Sequence, residues 1–280
     1  MYKIGNEQLE IHFDQKGSII ELRDNQLNRD YLTNNHFANL FRLLLPTDDW
    51  DGRYADSRDQ REVSVTEITE ETIRFRYPDI LAEGQSTGIS VESTVSVQGD
   101  GACFSLKVLN HSKTFVNRVL YPVISGFERS SDDLVYITPT QLEAGVTTGV
   151  STRFQKPFDS LGNGNHKGWS SDNNRRSLRY PHFLVSSWVD YSDNEGGVSL
   201  ETRNPGFDLV DFCLEREIAK ASDYPENNVD VLTFSLQQHI NIPEGEEWSN
   251  QNVIVRCHQG DWHIPALAHR KWLEAVSQKP

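Results

Sequence analysis

The sequence predicts an all-β fold: a large antiparallel β-super-sandwich closed by a C-terminal amphipathic helix. Three observations predict it. Apolar residues recur with a period of two along most of the chain, turn residues recur between the apolar runs, and no long helix alternates with the strands before Gly260. A parallel α/β sheet, which needs such alternation, is therefore disfavoured.

The elements follow in order. Leu9, Ile11 and Phe13 alternate with polar residues, Gln15-Lys16-Gly17 turns, and Ile19, Ile20 and Leu22 return, which reads as a hairpin. Asp24–Arg29 is a second turn. Asn39–Leu45 is a nearly continuous apolar run stopped by Pro46, as expected of a strand buried on both faces. Ile73, Phe75 and Tyr77 alternate, as do Ile89, Val91, Ser93, Val95 and Val97. Gly99-Asp100-Gly101 then turns tightly into Phe104, Leu106 and Val108. Further strands are expected at 115–124, 133–138, 183–190, 197–202, 207–214, 229–239 and 251–257, a spacing that suits a sandwich.

Two stretches break the pattern. Residues 46–61 are polar and embed Trp50, Arg53 and Tyr54. Residues 139–182 hold few apolar residues, and Ser160–Asn174 is rich in Gly, Asn and Ser. A loop this long without structure of its own is either functional or a mobile excursion. It carries His166, Trp169, Arg175, Arg176, Arg179, Tyr180 and His182, so the functional reading is a rim over a ligand or a neighbouring domain.

The last segment changes period. Asp261 can cap a helix whose apolar stripe is Trp262, Ala266, His269, Leu273 and Val276, with Pro265 in the first turn, where its missing N–H costs little. That stripe must bury itself on the sandwich or on a domain that continues the chain. The domain reading is a β-sandwich over 1–259 and a junction helix over 260–280.

Composition narrows the function. Of 280 residues, 36% are hydrophobic and 24% charged, ordinary for a globular chain able to bury a core without disulfides or metal. The net charge of −14 argues against nucleic acid and against an anionic membrane, both of which call for a basic footprint. Neutral sugars remain open, and six Trp offer stacking platforms as well as core. Cys103, Cys213 and Cys257 are odd in number and lie in apolar stretches, so buried free thiols are expected. The first residues have no hydrophobic signal core and no apolar stretch approaches a membrane span, giving a cytoplasmic expectation.

Chemical motifs are sparse. No phosphate loop, nucleophile elbow or cysteine signature is present. The nearest metal-type group is Cys257, His258 and His263, but strand alternation sends Cys257 and His258 to opposite faces, so neither metal nor cofactor is expected. Glycoside hydrolysis needs two carboxyls about 5–10 Å apart. Asp48, Asp49, Asp51, Asp190, Glu195 and Glu201 lie near aromatics, yet nothing in the sequence brings them together, and surface and turn roles account for such residues.

Three stretches carry a resemblance. Leu9–Asp14 with Gly17-Ser18-Ile19-Ile20-Glu21-Leu22-Arg23-Asp24 resembles the opening of many bacterial glycosidases. Asn39-Leu40-Phe41-Arg42-Leu43-Leu44-Leu45-Pro46 resembles the segment that follows. Gly260-Asp261-Trp262-His263, then Ala266, Ala268, Arg270 and Trp272, is similar to the junction helix that precedes a catalytic (β/α)8 barrel. The resemblance is to the galactose-mutarotase-like super-sandwich at the N-terminus of large glycoside hydrolases, relatives of the endo-α-N-acetylgalactosaminidase and α-galactosidase groups. It implies that the nucleophile and acid/base lie in the downstream barrel, so no catalytic residue is assigned within this chain. Aldose 1-epimerases carry two characteristic histidines. Asn110-His111-Ser112-Lys113-Thr114-Phe115 matches only the first two positions of one motif, and Pro181-His182 is a short match to the other.

Three functions follow: a non-catalytic accessory domain that packs on a barrel and shapes its cleft, a stand-alone sugar epimerase, or a carbohydrate-binding or structural module. The first is favoured, with the barrel of the same polypeptide as partner and carbohydrate as a further one. The candidate ligand-binding residues are Trp50, Arg53, Tyr54, His166, Trp169, Arg175, Arg179 and His182.

Overall fold

Alternating side chains give each strand one apolar and one polar face, and the apolar faces of two large sheets meet. In the computed structural model, residues 1–46, 52–127, 135–137, 139–140, 151–152, 175–182, 184–206, 208–219 and 229–277 are described. One sheet has nine strands. Its main path runs Val135–Ile137, Trp188–Ser192, Gly196–Thr202, Val253–Gln259, Gly101–Asn110, Ile89–Gln98, Thr72–Tyr77 and Ser64–Ile68, and Glu247–Ser249 also pairs with Gly101–Asn110. The other has six, in the order Arg175–Tyr180, Val210–Ala219, Val229–Ile242, Val116–Phe127, Arg42–Pro46 and Gly52–Asp56. Every pairing in both is antiparallel. A four-stranded sheet at the N-terminus, starting with Tyr2–Gly5, extends the core.

Between the sheets, Phe41 meets Tyr77 edge-on at 4.9 Å and Phe127 meets Phe234 at 4.6 Å. Tyr121 crosses the layers: its hydroxyl donates to the Ser105 carbonyl at 3.1 Å and shares a 2.8 Å hydrogen bond with Ser93. A buried tyrosine keeps its apolar area at little cost only when its O–H is satisfied in this way.

The expected hairpins are present. Leu9–Phe13 pairs with Ile19–Asp24, and Gln98 pairs with Gly101 across a two-residue turn in which Gly99 has φ 59°. At Gly126, φ is 106° and an added Cβ would lie 2.0 Å from the Asn34 carbonyl oxygen, so only glycine lets the N-terminal segment pass there.

Three expectations are corrected. The run from Asn39 does not become a strand buried on both faces. The strand begins at Arg42 and alternates, Leu43 and Leu45 entering the core while Arg42 turns outward to Asp56. The 46–61 excursion holds a strand, Gly52–Asp56, and a short 3-10 turn, Ser57–Asp59. The end of the long 139–182 loop is likewise a strand, Arg175–Tyr180, because its polar residues find partners across the six-stranded sheet.

The expected helix, α1 (His263–Ser277), is present and is capped by the Asp261 carboxylate accepting from the His263 N–H at 3.1 Å. Of the expected stripe, His269 is buried and Trp262, Ala266 and Val276 are partly buried, while Leu273 is 36% exposed; off the stripe, Ile264 is 43% and Leu267 59% exposed. Polar as well as aromatic contacts seat the stripe. His269 Nδ1 meets the buried Glu201 carboxylate at 3.1 Å, and Trp262 stacks on Trp188 at 6.4 Å.

Candidate functional site

The outward face of the six-stranded sheet is polar throughout its centre. On Val210–Ala219, Phe212 and Leu214 enter the core, which leaves Asp211, Cys213, Glu215 and Glu217 on the other side. On Val229–Ile242 the same rule turns Thr233, Ser235, Gln237 and His239 outward against Leu232, Phe234 and Leu236. The register then places Asp211 between Arg179 and Gln237, and Glu215 between Arg175 and Thr233. From the far edge, Arg42, Tyr54 and Asp56 share the face through the pairs Arg42↔Asp56 and Leu44↔Tyr54.

These residues form one connected chain of bonds. Arg42 Nε donates to Asp56 at 2.6 Å, and Arg42 Nη1 lies 3.6 Å from Glu215. Glu215 also meets Arg175 Nε at 3.1 Å, though at an angle too poor for a hydrogen bond. Arg175 Nη2 donates to Gln237 Oε1 at 2.7 Å, and Gln237 Nε2 donates to Asp211 at 3.2 Å. Arg179 Nε donates to the other Asp211 oxygen at 2.8 Å. The Tyr54 ring lies 5.3 Å from the Arg42 guanidinium and is itself 45% exposed.

Burial alone would raise the Asp211 pKa. The hydrogen bonds and charges of His239 and Arg179 outweigh it and hold the group at about 2. Asp211 is therefore ionised, and His239 Nε2, 2.7 Å away, must donate to it. The His239 side chain is 31% exposed and that of Arg179 43%, so this pair forms the rim. At the other end, burial raises Glu217, only partly offset by the Thr233 hydroxyl and the Arg42 charge. Its carboxyl accepts from Ser125 at 3.1 Å and Thr233 at 2.9 Å.

Of the residues singled out from sequence, Tyr54, Arg175 and Arg179 come together on this face. Arg53 does not: alternation turns it away from Tyr54, and it approaches Glu83 at 4.0 Å. His182 is exposed in the turn after Tyr180. Trp50, His166 and Trp169 lie outside the described residues. Asn110, which opens the short epimerase-like match, spends its amide on the carbonyls of Thr114 and Ile242, and His111 sits exposed in that turn. Sequence reasoning missed Arg42, Asp211, Glu215, Glu217, Gln237 and His239. Their only sequence signal is the alternation of Asp211, Cys213, Glu215 and Glu217 with buried residues.

Among the described residues, one group has metal-ligand chemistry: Glu10, His12 and Glu21 on the N-terminal sheet. His12 spends opposite ring nitrogens on the two carboxylates, at 2.6 and 2.8 Å, and Lys3 holds Glu10 at 2.7 Å. The ring nitrogens do not converge on one point, so the group reads as an ion-paired cluster. Among the described residues no helix is long and apolar enough to cross a membrane.

No family model and no curated protein matches the chain. Solved structures do. A galactose mutarotase related enzyme from Lactobacillus acidophilus superposes with a TM-score of 0.56 at 11% identity, over 93% of this chain and 98% of that one. An α-N-acetylgalactosaminidase from Bifidobacterium bifidum, solved with GalNAc, superposes with a TM-score of 0.59 at 9% identity. There the match covers 99% of this chain but 39% of the enzyme. A Geobacillus stearothermophilus GH36 α-galactosidase, solved with raffinose, gives 0.51 at 6% identity, over 92% of this chain and 40% of that one. With a two-sheet antiparallel sandwich and one C-terminal helix, the chain has the galactose-mutarotase-like fold.

Proposed function

We propose that the chain is a carbohydrate-handling domain that binds a sugar on the polar face of the six-stranded sheet. In this reading it serves as a non-catalytic accessory domain, residues 1–259, joined by the helix segment 260–280 to the barrel of a glycoside hydrolase. The observation that carries the reading is the bonded network from Asp56 to Arg179, edged by the exposed Tyr54 ring. Sugar sites need fixed donors and acceptors for hydroxyls together with an aromatic surface. The helix supports the accessory role, since Ile264 and Leu267 are exposed while Pro265 and His269 pack on the sandwich. In the two glycosidases above, the matched region is likewise a minor part of a longer chain.

One observation favours a second reading, a stand-alone aldose 1-epimerase. An imidazole oriented by an ionised carboxylate, as His239 is by Asp211, is a general acid–base arrangement. One NMR experiment separates the readings. Saturation-transfer NMR with methyl galactoside and methyl N-acetylgalactosaminide is expected to show contact that weakens about tenfold in Tyr54→Ala. No transfer at tens of millimolar sugar would overturn the binding reading. Faster anomer exchange of free α-galactose than in buffer, lost in His239→Ala, would replace the accessory role with epimerase activity.

A further inference from the structure

Among the described residues, the charges of the polar face pair off, with one exception. Arg42 is met by Asp56 and Glu215, Arg175 by Glu215, and Arg179 by Asp211, while Glu217 is held by two hydroxyls. Arg118 is left over. It lies on Val116–Phe127 directly opposite His239 on one side and Leu44 on the other, so it shares the face with both. Among the described residues no carboxylate lies within ion-pair distance of it, and its Nε is buried without a hydrogen-bond partner. The chain carries 41 acidic against 27 basic residues, which makes an arginine without a carboxylate conspicuous.

A half-buried guanidinium without a counter-charge is costly unless something supplies the anion. Neighbouring Leu44 offers no polar atom and neighbouring His239 is committed to Asp211, so the described residues do not supply it. The guanidinium fork fits a planar carboxylate or the oxygens of a phosphate or sulfate, and partial burial strengthens such a pair. The position, one cross-strand step from His239, is within about 5–6 Å of the rim. We infer that the sugar taken by this face bears an anionic group, held by Arg118 beside His239. The inference rests on the proposed sugar-binding reading and deepens it.

The test compares glucose, glucuronate, glucose 6-phosphate and glucose 6-sulfate, with inorganic phosphate as the probe for bare anion binding, by calorimetry on the full 280-residue chain. At least one anionic sugar is expected to bind tenfold or more tightly than glucose at low salt, an advantage that shrinks as salt is added. Which one wins identifies the anion. In Arg118→Gln the ratio of anionic to neutral affinity is expected to fall to about one. Equal affinities in the wild type, an advantage that survives Arg118→Gln, or one insensitive to salt would each overturn the inference while leaving neutral-sugar binding intact. Inorganic phosphate binding as tightly as the phosphorylated sugar would reduce the site to an anion site and overturn the sugar part. Absence of binding by every sugar would sink the broader reading, and the inference with it. Should Arg118→Gln not fold, the salt dependence of the wild-type ratio still decides.

Discussion

Both large sheets turn a charged face away from the core, and the two faces have opposite fates. On the nine-stranded sheet, Glu201 meets Arg256 at 3.3 Å and His269 at 3.1 Å, and Asp190 meets His258 at 2.8 Å, all of them buried under or beside α1. On the six-stranded sheet the central groups are equally buried, but the network surfaces at Tyr54, Arg179 and His239. A roofed network can only hold elements together, whereas one with an exposed rim has unspent capacity for a ligand. Polar burial therefore does not identify a site on a sandwich of this kind. The informative feature is where the network reaches solvent.

The largest loss is expected on the roofed side. Glu201→Ala leaves Arg256 and His269 buried without their carboxylate, and a loss of about 3–5 kcal/mol is expected in urea unfolding. A loss below 1 kcal/mol would mean the helix seam is not structural. Asp211→Asn probes the open face. With the Asp211 pKa near 2 against about 3.9 unfolded, the ionised group contributes about 2 kcal/mol at neutral pH. Because the folded-state pKa is depressed, that stability is present above the unfolded value and is lost as pH falls toward 2. The wild type is thus expected to exceed the variant at pH 7 and to converge on it between pH 5 and 2. A gap that does not narrow would refute the assignment. Glu217 has the opposite sign. Its raised pKa means that ionisation in the fold is unfavourable, so Glu217→Gln is expected to be neutral to about 1 kcal/mol stabilising at pH 7 in thermal melts. A loss of more than 1 kcal/mol would show that the charge is needed.

The fold was legible because its signal is local. Period-two runs and the Gly99-Asp100-Gly101 turn are each contained in a dozen residues, and Asp261 announces its helix on the spot. The site was legible only in part, because it is made by register. Arg175 and Arg179 stood out as basic residues in a polar stretch, and Tyr54 as an aromatic in another. Asp211, Gln237 and His239 look like an ordinary solvated strand face until pairing sets them beside Arg179. Arg53 misled for the same reason: one residue of strand phase sends it to the other side from Tyr54. The helix stripe was legible, with His269 buried and Trp262, Ala266 and Val276 partly so, but the Glu201 carboxylate that meets His269 is invisible to hydrophobic periodicity.

The two-residue turn at Gly99-Asp100 also bears on the order of assembly. It joins partners adjacent in the chain, so Ile89–Gln98 and Gly101–Asn110 can zip together at small entropic cost. Arg118 and His239, by contrast, are about 120 residues apart and meet only after a long loop has closed. Contact order therefore favours the central hairpin of the nine-stranded sheet as an early nucleus and the polar face as a late arrival. Interactions that form after the transition state govern how fast a protein comes apart rather than how fast it assembles. If the polar face binds a sugar as proposed, ligand binding there is expected to slow unfolding.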